Sequence, residues 1–249
     1  MANVPRQVRQ GAAALLSLLF PPVCTCCAAE MATPGDGILL CNACRLQLMD
    51  DAPQCRRCAA PVPVVSPAGD CPLCRRGKLH FDGAVALGVY RGELRLAMLR
   101  IKHWTETPLA IQLGKLTGGK AASVFAGRAF DLAAPMPMHW QRRAIRGCNP
   151  AESLAESAAS RLGIPLAPSL LHFRRTTEKQ NILPPSRRFS NVRRALGASL
   201  NYDLQNAQVL LVDDTMTTGA TASEAARALK QAGAAGVYVA VVSRGIGWR

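Results

Sequence analysis

The sequence predicts an α/β protein whose main domain contains a parallel β-sheet, preceded by a small cysteine-rich domain. Nine of the ten cysteines lie between residues 24 and 74, where long apolar runs are scarce and prolines are common. After Phe81, apolar stretches alternate with amphipathic ones. This alternation is typical of a parallel sheet that is covered by helices on both faces. We therefore expect an N-terminal domain at residues 1–80 and an α/β domain at residues 81–249.

The α/β region contains four predicted strands and four predicted helices. Pro150 in a first turn, and Gly163 and Gly233 after last turns, are helix-boundary signals. The glycines within residues 108–126 predict a break in that helix. The predicted strands span residues 83–90, 131–138, 209–212 and 237–242, and the predicted helices span residues 93–102, 108–126, 150–163 and 220–232.

The first twenty residues combine a basic start with a short apolar run. A secretory signal is one interpretation, but "FPPVC" after the run has no cleavage pattern of small residues. The run is also too short to cross a membrane. Its apolar residues instead suit one face of a helix that lies on a domain, namely Val8, Leu15, Leu16, Leu19 and Phe20. No other segment could span a membrane. An α/β domain without a convincing signal peptide points to a reducing compartment, so we expect a cytoplasmic protein.

The chain is strongly basic. Lysine and arginine number 30 against 16 acidic residues, for a formal net charge of +14. If eight cysteines held two zinc ions as thiolates, eight negative and four positive charges would lower this to about +10. The excess of positive charge favours an anionic partner.

Eight cysteines form four Cys-x-x-Cys pairs. Two such pairs separated by about a dozen residues match a zinc ribbon, and here the arrangement occurs twice in tandem. We therefore expect two structural zinc ions, because four thiolates leave no open coordination position. The predicted ligands are Cys24, Cys27, Cys41, Cys44, Cys55, Cys58, Cys71 and Cys74.

Several alternatives remain open for the cysteines. A disulfide framework is one, although a reducing compartment favours zinc thiolates. The four pairs could also combine in a crossed order, and Cys26 could replace a neighbour in "CTCC". Cys148 stands apart and suits a packing role. We expect the two domains to have separate sources of stability, zinc for the first and an apolar core for the second.

The stretch "LLVDDTMTTGAT", residues 210–221, combines an acid pair with a loop suited to an anion. A parallel strand ending in Asp213 and Asp214 places both carboxylates at the carboxyl edge of the sheet, where open α/β folds bind ligands. The turn that follows leads into a helix, so its backbone N–H groups and threonine hydroxyls face an anion. The acids must face something neutral or cationic. A ribose 5-phosphate with Mg²⁺ satisfies both halves.

This stretch resembles the type I phosphoribosyltransferase signature, an apolar strand followed by Asp-Asp-x-x-Thr-Thr-Gly-x-Thr. An ordinary strand-to-helix turn would explain one Asp or Thr but not the ensemble. The resemblance implies that Asp213 and Asp214, the candidate catalytic pair, hold the ribose hydroxyls of phosphoribosyl pyrophosphate (PRPP), with Mg²⁺ as cofactor. It assigns the 5-phosphate to Thr217, Thr218, Gly219, Ala220 and Thr221.

Further stretches resemble the ComF (ComFC/GntX-like) competence family over residues 24–244. They are "YRGELRLAMLRIK", "PMPMHWQRRAIRGCNPAESLA", "RRTTEKQNILPPSRRFSNV" and the tandem cysteine pairs. One departure is that Cys148, Asn149 and Pro150 stand where the family usually has Phe-Asn-Gln. The loss of the glutamine amide weakens any expectation of a specific polar contact from this loop.

The resemblance also implies roles for two basic segments. The first is the pyrophosphate loop, with His139, Arg143 and Arg146 as candidate ligands and Arg142 beside them; a solvated basic surface is the alternative. The second suits either a mobile loop that closes over PRPP or a surface that binds nucleic-acid phosphates. Only Phe189 is aromatic there, so base stacking is poorly supported. Its basic residues are Arg174, Arg175, Lys179, Arg187, Arg188, Arg193 and Arg194.

The ComF resemblance implies a role in the uptake and processing of transforming single-stranded DNA. The implied partners are PRPP or a related ribose phosphate, single-stranded DNA, and a competence helicase or recombination mediator. One alternative is an active phosphoribosyltransferase of nucleotide metabolism that displaces pyrophosphate from Mg-PRPP. Another is a nucleotide- or DNA-binding module without turnover. The basic excess favours DNA, and the intact acid pair favours PRPP.

Overall fold

The computed structural model describes residues 21–32, 34–65, 71–75, 77, 79–178, 180 and 182–245. The expected N-terminal helix, with Val8 to Phe20, lies outside these residues. Within the described part of the chain, no helix is long and apolar enough to cross a membrane.

A four-stranded parallel sheet forms the centre, in the order β1 (Gly83–Val89), β6 (Gly236–Arg244), β5 (Gln208–Met216), β2 (Leu132–Pro135). All four predicted strands are confirmed. The strand that carries the acid pair is longer than expected, because Asp213 still pairs with Val241 of its neighbour. A separate antiparallel pair, β3 (Leu171–Phe173) with β4 (Leu196–Ala198), was not predicted.

Helices cover both faces of the sheet. They are α1 Asn42–Leu48, α2 Pro72–Arg75, α3 Gly92–Arg100, α4 Thr107–Val124, α5 Trp140–Arg146, α6 Pro150–Leu162, α7 Pro185–Val192 and α8 Ala220–Gln231. Helices α3, α4 and α6 pack on the face formed by Leu210 and Val212, whereas α8 packs on the face formed by Val209 and Leu211. This alternation follows from the period of two in a β-strand.

The expected glycine break is wrong, because α4 runs unbroken from Thr107 to Val124. A Cβ atom at Gly114 would lie 2.6 Å from the carbonyl oxygen of Leu154, and one at Gly118 would lie 2.9 Å from the Cα atom of Ala158. Both positions therefore let the backbones of α4 and α6 approach closely. The glycines serve helix packing instead of helix termination.

Two helices lie where the sequence predicted loops. Helix α5 begins directly after His139 and has no buried residue, so it shows no apolar stripe for a pattern to detect. Helix α7 lies within the basic segment that was expected as a mobile loop. Its two buried residues are Arg188 and Val192, and a buried arginine is a poor signal of a helix face.

The cysteine-rich segment straddles one edge of the sheet. Residues between its two halves run along β1, where the Asp50 N–H donates to the Leu87 carbonyl at 3.1 Å and the Ala84 N–H donates to the Arg56 carbonyl at 3.1 Å. Between them, the Gln54 side chain donates to the Ala86 carbonyl at 3.0 Å and accepts from the Ala86 N–H at 3.1 Å. The segment therefore covers an edge strand that would otherwise expose unpaired backbone groups.

Each half of the cysteine-rich segment shares an apolar cluster with the α/β region. Cys24 and Cys44 pack in the cluster of α3, α4 and α6, whereas Cys55 and Cys74 pack in the cluster of α8. The domain boundary near residue 80 stays a prediction. The shared clusters do not support the expectation that the two parts have separate sources of stability.

Candidate functional site

Two groups of four cysteines bring their sulfur atoms together, each within 4.8 Å of the others. The first group is Cys24, Cys27, Cys41 and Cys44, and the second is Cys55, Cys58, Cys71 and Cys74. The pairs therefore combine in sequence order, not in a crossed order. Cys26 belongs to neither group, and Cys148 lies apart from both.

The sulfur spacing fits a tetrahedral metal site. Sulfur–sulfur distances are 3.8 Å for Cys27–Cys41, 3.7 Å for Cys55–Cys74 and 3.6 Å for Cys58–Cys71. A tetrahedral ion with Zn–S bonds of ~2.3 Å would place its ligands about 3.8 Å apart. None of the ten cysteines forms a disulfide bond in this structure. Burial raises the pKa of Cys74 to about 11, a cost that a bound cation would offset.

The acid pair lies near the carboxyl end of β5. Asp213 and Asp214 are half-buried, and the Asp213 Oδ1 atom accepts from the Asp214 N–H at 2.8 Å. Burial, followed by the charge of Asp214, holds the pKa of Asp213 well above its ordinary range. Burial also raises the pKa of Asp214, whereas Lys102 and Arg146 act to lower it. Two carboxyls are thus held together without a close counter-ion among the described residues.

The hydroxyl-rich loop, which we call the phosphate loop, comprises residues 217–221 and follows the acid pair closely. Gly219 has a φ of 79°, in the left-handed region that glycine tolerates, and it caps the first turn of α8. The first N–H groups of this 12-residue helix therefore point toward the loop. Thr217, Thr218 and Thr221 add hydroxyl groups beside them. This arrangement suits a phosphate group, as the sequence predicted.

Two side chains from the basic segment hold this loop. Arg188 is only 2% exposed; its Nη1 atom donates to the Thr217 hydroxyl at 2.9 Å and its Nε atom donates to the Leu183 carbonyl at 3.0 Å. The Gln180 Nε2 atom donates to the Thr221 hydroxyl at 3.4 Å. Arg188 was expected as a mobile-loop or DNA-binding residue. Its burial instead makes it an internal support of the phosphate loop in this conformation.

A second arginine supports the loop from the other side. Arg244 is 6% exposed, and its Nη1 atom donates to the Met216 carbonyl at 3.0 Å and also to the Thr217 carbonyl. Its Nε atom donates to the Cys58 carbonyl at 2.8 Å. One guanidinium group therefore joins the second cysteine cluster to the loop after the acid pair. The sequence showed only an arginine after an apolar strand and carried no signal of this role.

The expected pyrophosphate loop is largely helix α5. His139 caps this helix, with its Nδ1 atom accepting from the Gln141 N–H at 3.4 Å. Arg143 forms an ion pair with Glu152. Arg146 is exposed, and its charge acts on Asp214. Of these three residues, Arg146 is the one whose charge lowers the pKa of Asp214 among the main causes.

The altered tripeptide after Gly147 has a structural role. Asn149 is buried, donates to the Met136 carbonyl at 3.1 Å and accepts from the Ala151 N–H at 3.3 Å. It therefore caps α6 and fixes the end of β2. Cys148 is half-buried, in line with the expected packing role.

The remaining arginines of the basic segment lie at the surface. Arg175 donates to the carbonyls of Asn191 and Arg193, at 2.9 and 2.8 Å, and so joins the two ends of the basic segment. Lys179 lies outside the described residues. The exposed members are Arg174, Arg175, Arg187, Arg193 and Arg194.

Comparison with known families agrees with both halves of the chain. Residues 15–76 match the double zinc ribbon domain, and residues 149–246 match the phosphoribosyl transferase domain. The chain joins a double zinc ribbon to a phosphoribosyl transferase domain.

Two relatives align with most of this chain and with most of their own length. The DNA utilization protein YhgH of Salmonella typhimurium is 26% identical over 227 residues, covering 89% of this chain and 96% of its own. Competence protein F of Haemophilus influenzae is 26% identical over 205 residues, covering 80% of this chain and 88% of its own. The predicted resemblance to the ComF family is confirmed. Among solved structures, an allosteric regulatory enzyme of purine biosynthesis is 21% identical, with a TM-score of 0.40, over 58% of this chain and 30% of its own.

The zinc ribbon should bind two zinc ions per chain. Elemental analysis of the purified protein should give two, and Cys41→Ser should lower this to one, because a cluster of three thiols holds zinc less tightly. Cys26→Ser is the matched control and should keep both ions. Calorimetry of Cys41→Ser should show one transition at a lower temperature, because this cluster shares its apolar core with α3 and α4. A separate, unchanged transition for the phosphoribosyl transferase domain would contradict that expectation.

Arg244 should hold the phosphate loop in place. Arg244→Lys keeps the charge but loses the planar fork that reaches four carbonyl groups, those of Cys58, Met216, Thr217 and Gly245. We expect faster amide hydrogen exchange at residues 216–221, with two zinc ions retained. The matched control is Arg100→Lys, because Arg100 donates to the carbonyls of Thr25 and Cys26 beside the first cluster. Equal exchange at residues 216–221 in both variants would argue against this role.

Proposed function

We propose that this chain is a ComF-type protein that binds PRPP or a related ribose 5-phosphate and acts in the uptake and processing of single-stranded DNA. The observation that carries the sugar-phosphate part is the adjacency of two kinds of group at the end of one strand. The carboxyls of Asp213 and Asp214 lie at the end of β5, and the hydroxyl-rich loop with the start of α8 follows at once.

The acid pair suits a diol and a divalent cation. Burial raises the pKa of both carboxyls, and the charge of Asp214 raises the pKa of Asp213 further. Hydroxyl groups that donate to them, or a magnesium ion that neutralises them, would offset this cost. When bound, Mg²⁺ supplies charge neutralisation for the pyrophosphate group of PRPP. The chain supplies the acceptors for the ribose and the N–H donors for the 5-phosphate.

Gln180 gives independent support for a ligand with hydroxyl groups. Its Oε1 atom is buried and has no hydrogen-bond partner among the described residues, although its Nε2 atom contacts Thr221 of the phosphate loop. Buried acceptors normally have a donor. A ligand hydroxyl beside the loop would supply one.

The DNA part of the proposal combines two supports. The chain carries a net charge of +14, and five exposed arginines lie on the basic segment beside the phosphate loop. Its relatives include a competence protein and a DNA utilization protein. We expect the phosphates of a single strand to contact these arginines with little sequence preference. The reducing conditions that zinc thiolates need favour the cytoplasm as its location.

An active phosphoribosyltransferase is the second candidate, favoured by the intact Asp-Asp-x-x-Thr-Thr-Gly-x-Thr signature. It would break the C1–O bond of PRPP, release pyrophosphate and join C1 to an acceptor. Binding groups would stabilise the positive charge that develops on the ribose ring. Pyrophosphate release that depends on one member of a panel of bases would favour this candidate.

Mg-PRPP should raise the melting temperature of the protein. A ligand at 100 times its dissociation constant stabilises the native state by about 2.7 kcal/mol. For a chain of this length this corresponds to a rise of roughly 5–10 °C. Asp213→Asn with Asp214→Asn should abolish the rise. The matched control is Asp51→Asn with Glu156→Gln, which removes the same charge at two exposed positions and should keep it.

Misfolding of the aspartate variant can be told apart from loss of the ligand. A carboxyl whose pKa is raised on folding binds more protons in the native than in the unfolded state, so it reduces stability as the pH rises through that pKa. Replacing both carboxyls removes this loss. The unliganded variant should therefore melt no lower than the parent at pH 7. A normal melting temperature with an unchanged PRPP response would refute the assignment of Asp213 and Asp214.

Single-stranded DNA should bind mainly through its phosphates. The logarithm of the affinity should fall linearly with the logarithm of salt concentration, by ~0.7 per phosphate contacted. Arg187→Ala with Arg193→Ala should make this slope shallower by up to about 1.4. The control is Arg128→Ala with Arg161→Ala, two exposed arginines outside the basic segment. Equal slopes in the two variants, or a loss confined to one oligonucleotide sequence, would contradict the proposal.

A further inference from the structure

A cleft of about 490 Å³ lies beyond the end of β2, between α5 and the β3–β4 pair. Neither Asp213 nor Asp214 lines it, and no residue of the phosphate loop does. It is therefore a cavity apart from the acid pair and the phosphate loop, although His139 and Arg143 of the expected pyrophosphate loop line it. Its volume is within the range of sites that hold a molecule of nucleotide size.

Three aromatic rings meet in this cleft. The ring centroid of His139 lies 5.8 Å from that of Trp140, with the planes 32° apart, and 5.9 Å from that of Phe173. Phe173 comes from β3, so the fold brings it next to His139, which is 34 residues away in the chain. This ring cluster was not predicted, because the basic segment alone contains a single aromatic residue.

Trp140 is 69% exposed, which leaves much of its ring free of protein contact. The side of the cleft formed by β3 also carries Arg174 and Arg175, both exposed. The one carboxylate that lines the cleft, Glu152, is already paired with Arg143. The cleft thus offers open aromatic surface beside positive charge.

We propose that this cleft binds an unpaired nucleobase of single-stranded DNA, stacked on the rings of Trp140 and His139. The phosphates next to that base would contact Arg174 and Arg175. Rings combined with arginines suit a single strand, because every base has a flat face and an unpaired base exposes it. In a duplex both faces of a base are already stacked. The inference extends the DNA part of the proposed function and rests on it.

Tryptophan fluorescence tests the stacking directly. The chain has three tryptophans, so Trp104→Phe with Trp248→Phe leaves Trp140 as the only one. An oligothymidylate should quench its emission, because a stacked base contacts the indole ring. An oligonucleotide of the same length without bases carries the same phosphates and should bind without quenching. Equal emission with both oligonucleotides at saturation would overturn the proposal.

Affinity gives a second test with a matched control. Trp140→Ala should weaken oligothymidylate binding by about fivefold to 150-fold, the range for loss of one stacked base. Trp104→Ala should have no effect, although Trp104 is also 69% exposed, because it does not line the cleft. The oligonucleotide without bases should bind the parent and Trp140→Ala equally. Equal losses in both tryptophan variants, or parent affinity as high for duplex DNA, would also overturn the proposal.

The two proposals can fail separately. Trp140→Ala should keep the rise in melting temperature caused by Mg-PRPP, because Trp140 does not contact the acid pair or the phosphate loop. A parent that quenches with oligothymidylate but gains no stability from Mg-PRPP would refute the sugar-phosphate site and support the aromatic cleft. A parent that gains stability from Mg-PRPP but shows no base-dependent quenching would support the sugar-phosphate site and refute the aromatic cleft.

Discussion

The guanidinium group of Arg244 connects parts of the chain that sequence separates by up to 186 residues. It donates to the carbonyl of Cys58 in the second cysteine cluster and to the carbonyls of Met216 and Thr217 in the loop after the acid pair. A buried charge is costly unless its donors are satisfied, and here backbone carbonyls satisfy them. One side chain therefore contacts both the Cys58 carbonyl of the ribbon and the backbone of the phosphate loop.

Apolar residues near Arg244 also connect the ribbon to the phosphate loop. Phe81 is fully buried, and its ring would lie 3.5 Å from a Cβ atom at Gly219. Leu79, which follows the second cysteine cluster, would lie 3.6 Å from the same Cβ atom. The start of α8 thus rests on residues that connect the ribbon to β1. The second cysteine cluster and the start of α8 are therefore joined by the same few contacts.

The sequence was sufficient for features that depend on local chemistry. Apolar runs located all four strands of the parallel sheet, and cysteine spacing located both metal clusters. The pattern failed where a residue served a distant partner. Gly114 and Gly118 looked like a helix break, because their contact with α6 is not visible along the chain. Arg188 looked like a surface charge, although its partners are Leu183 and Thr217. Helix α5 has no apolar stripe, so no periodicity could reveal it.

The two proposed sites share helix α5 and lie at the same end of the sheet, at the carboxyl ends of its strands. Both lateral edges are occupied, because residues 50–56 run along β1 and residues 165–167 bond to Ala133 of β2. The open positions are the carboxyl ends of the strands, where parallel sheets bind ligands. Helix α5 starts at this edge, with Trp140 and Arg143 lining the aromatic cleft and the charge of Arg146 acting on Asp214. A ligand that moves α5 would therefore change both sites. Such a shift would couple sugar-phosphate binding to base stacking through differential contacts made by one short helix.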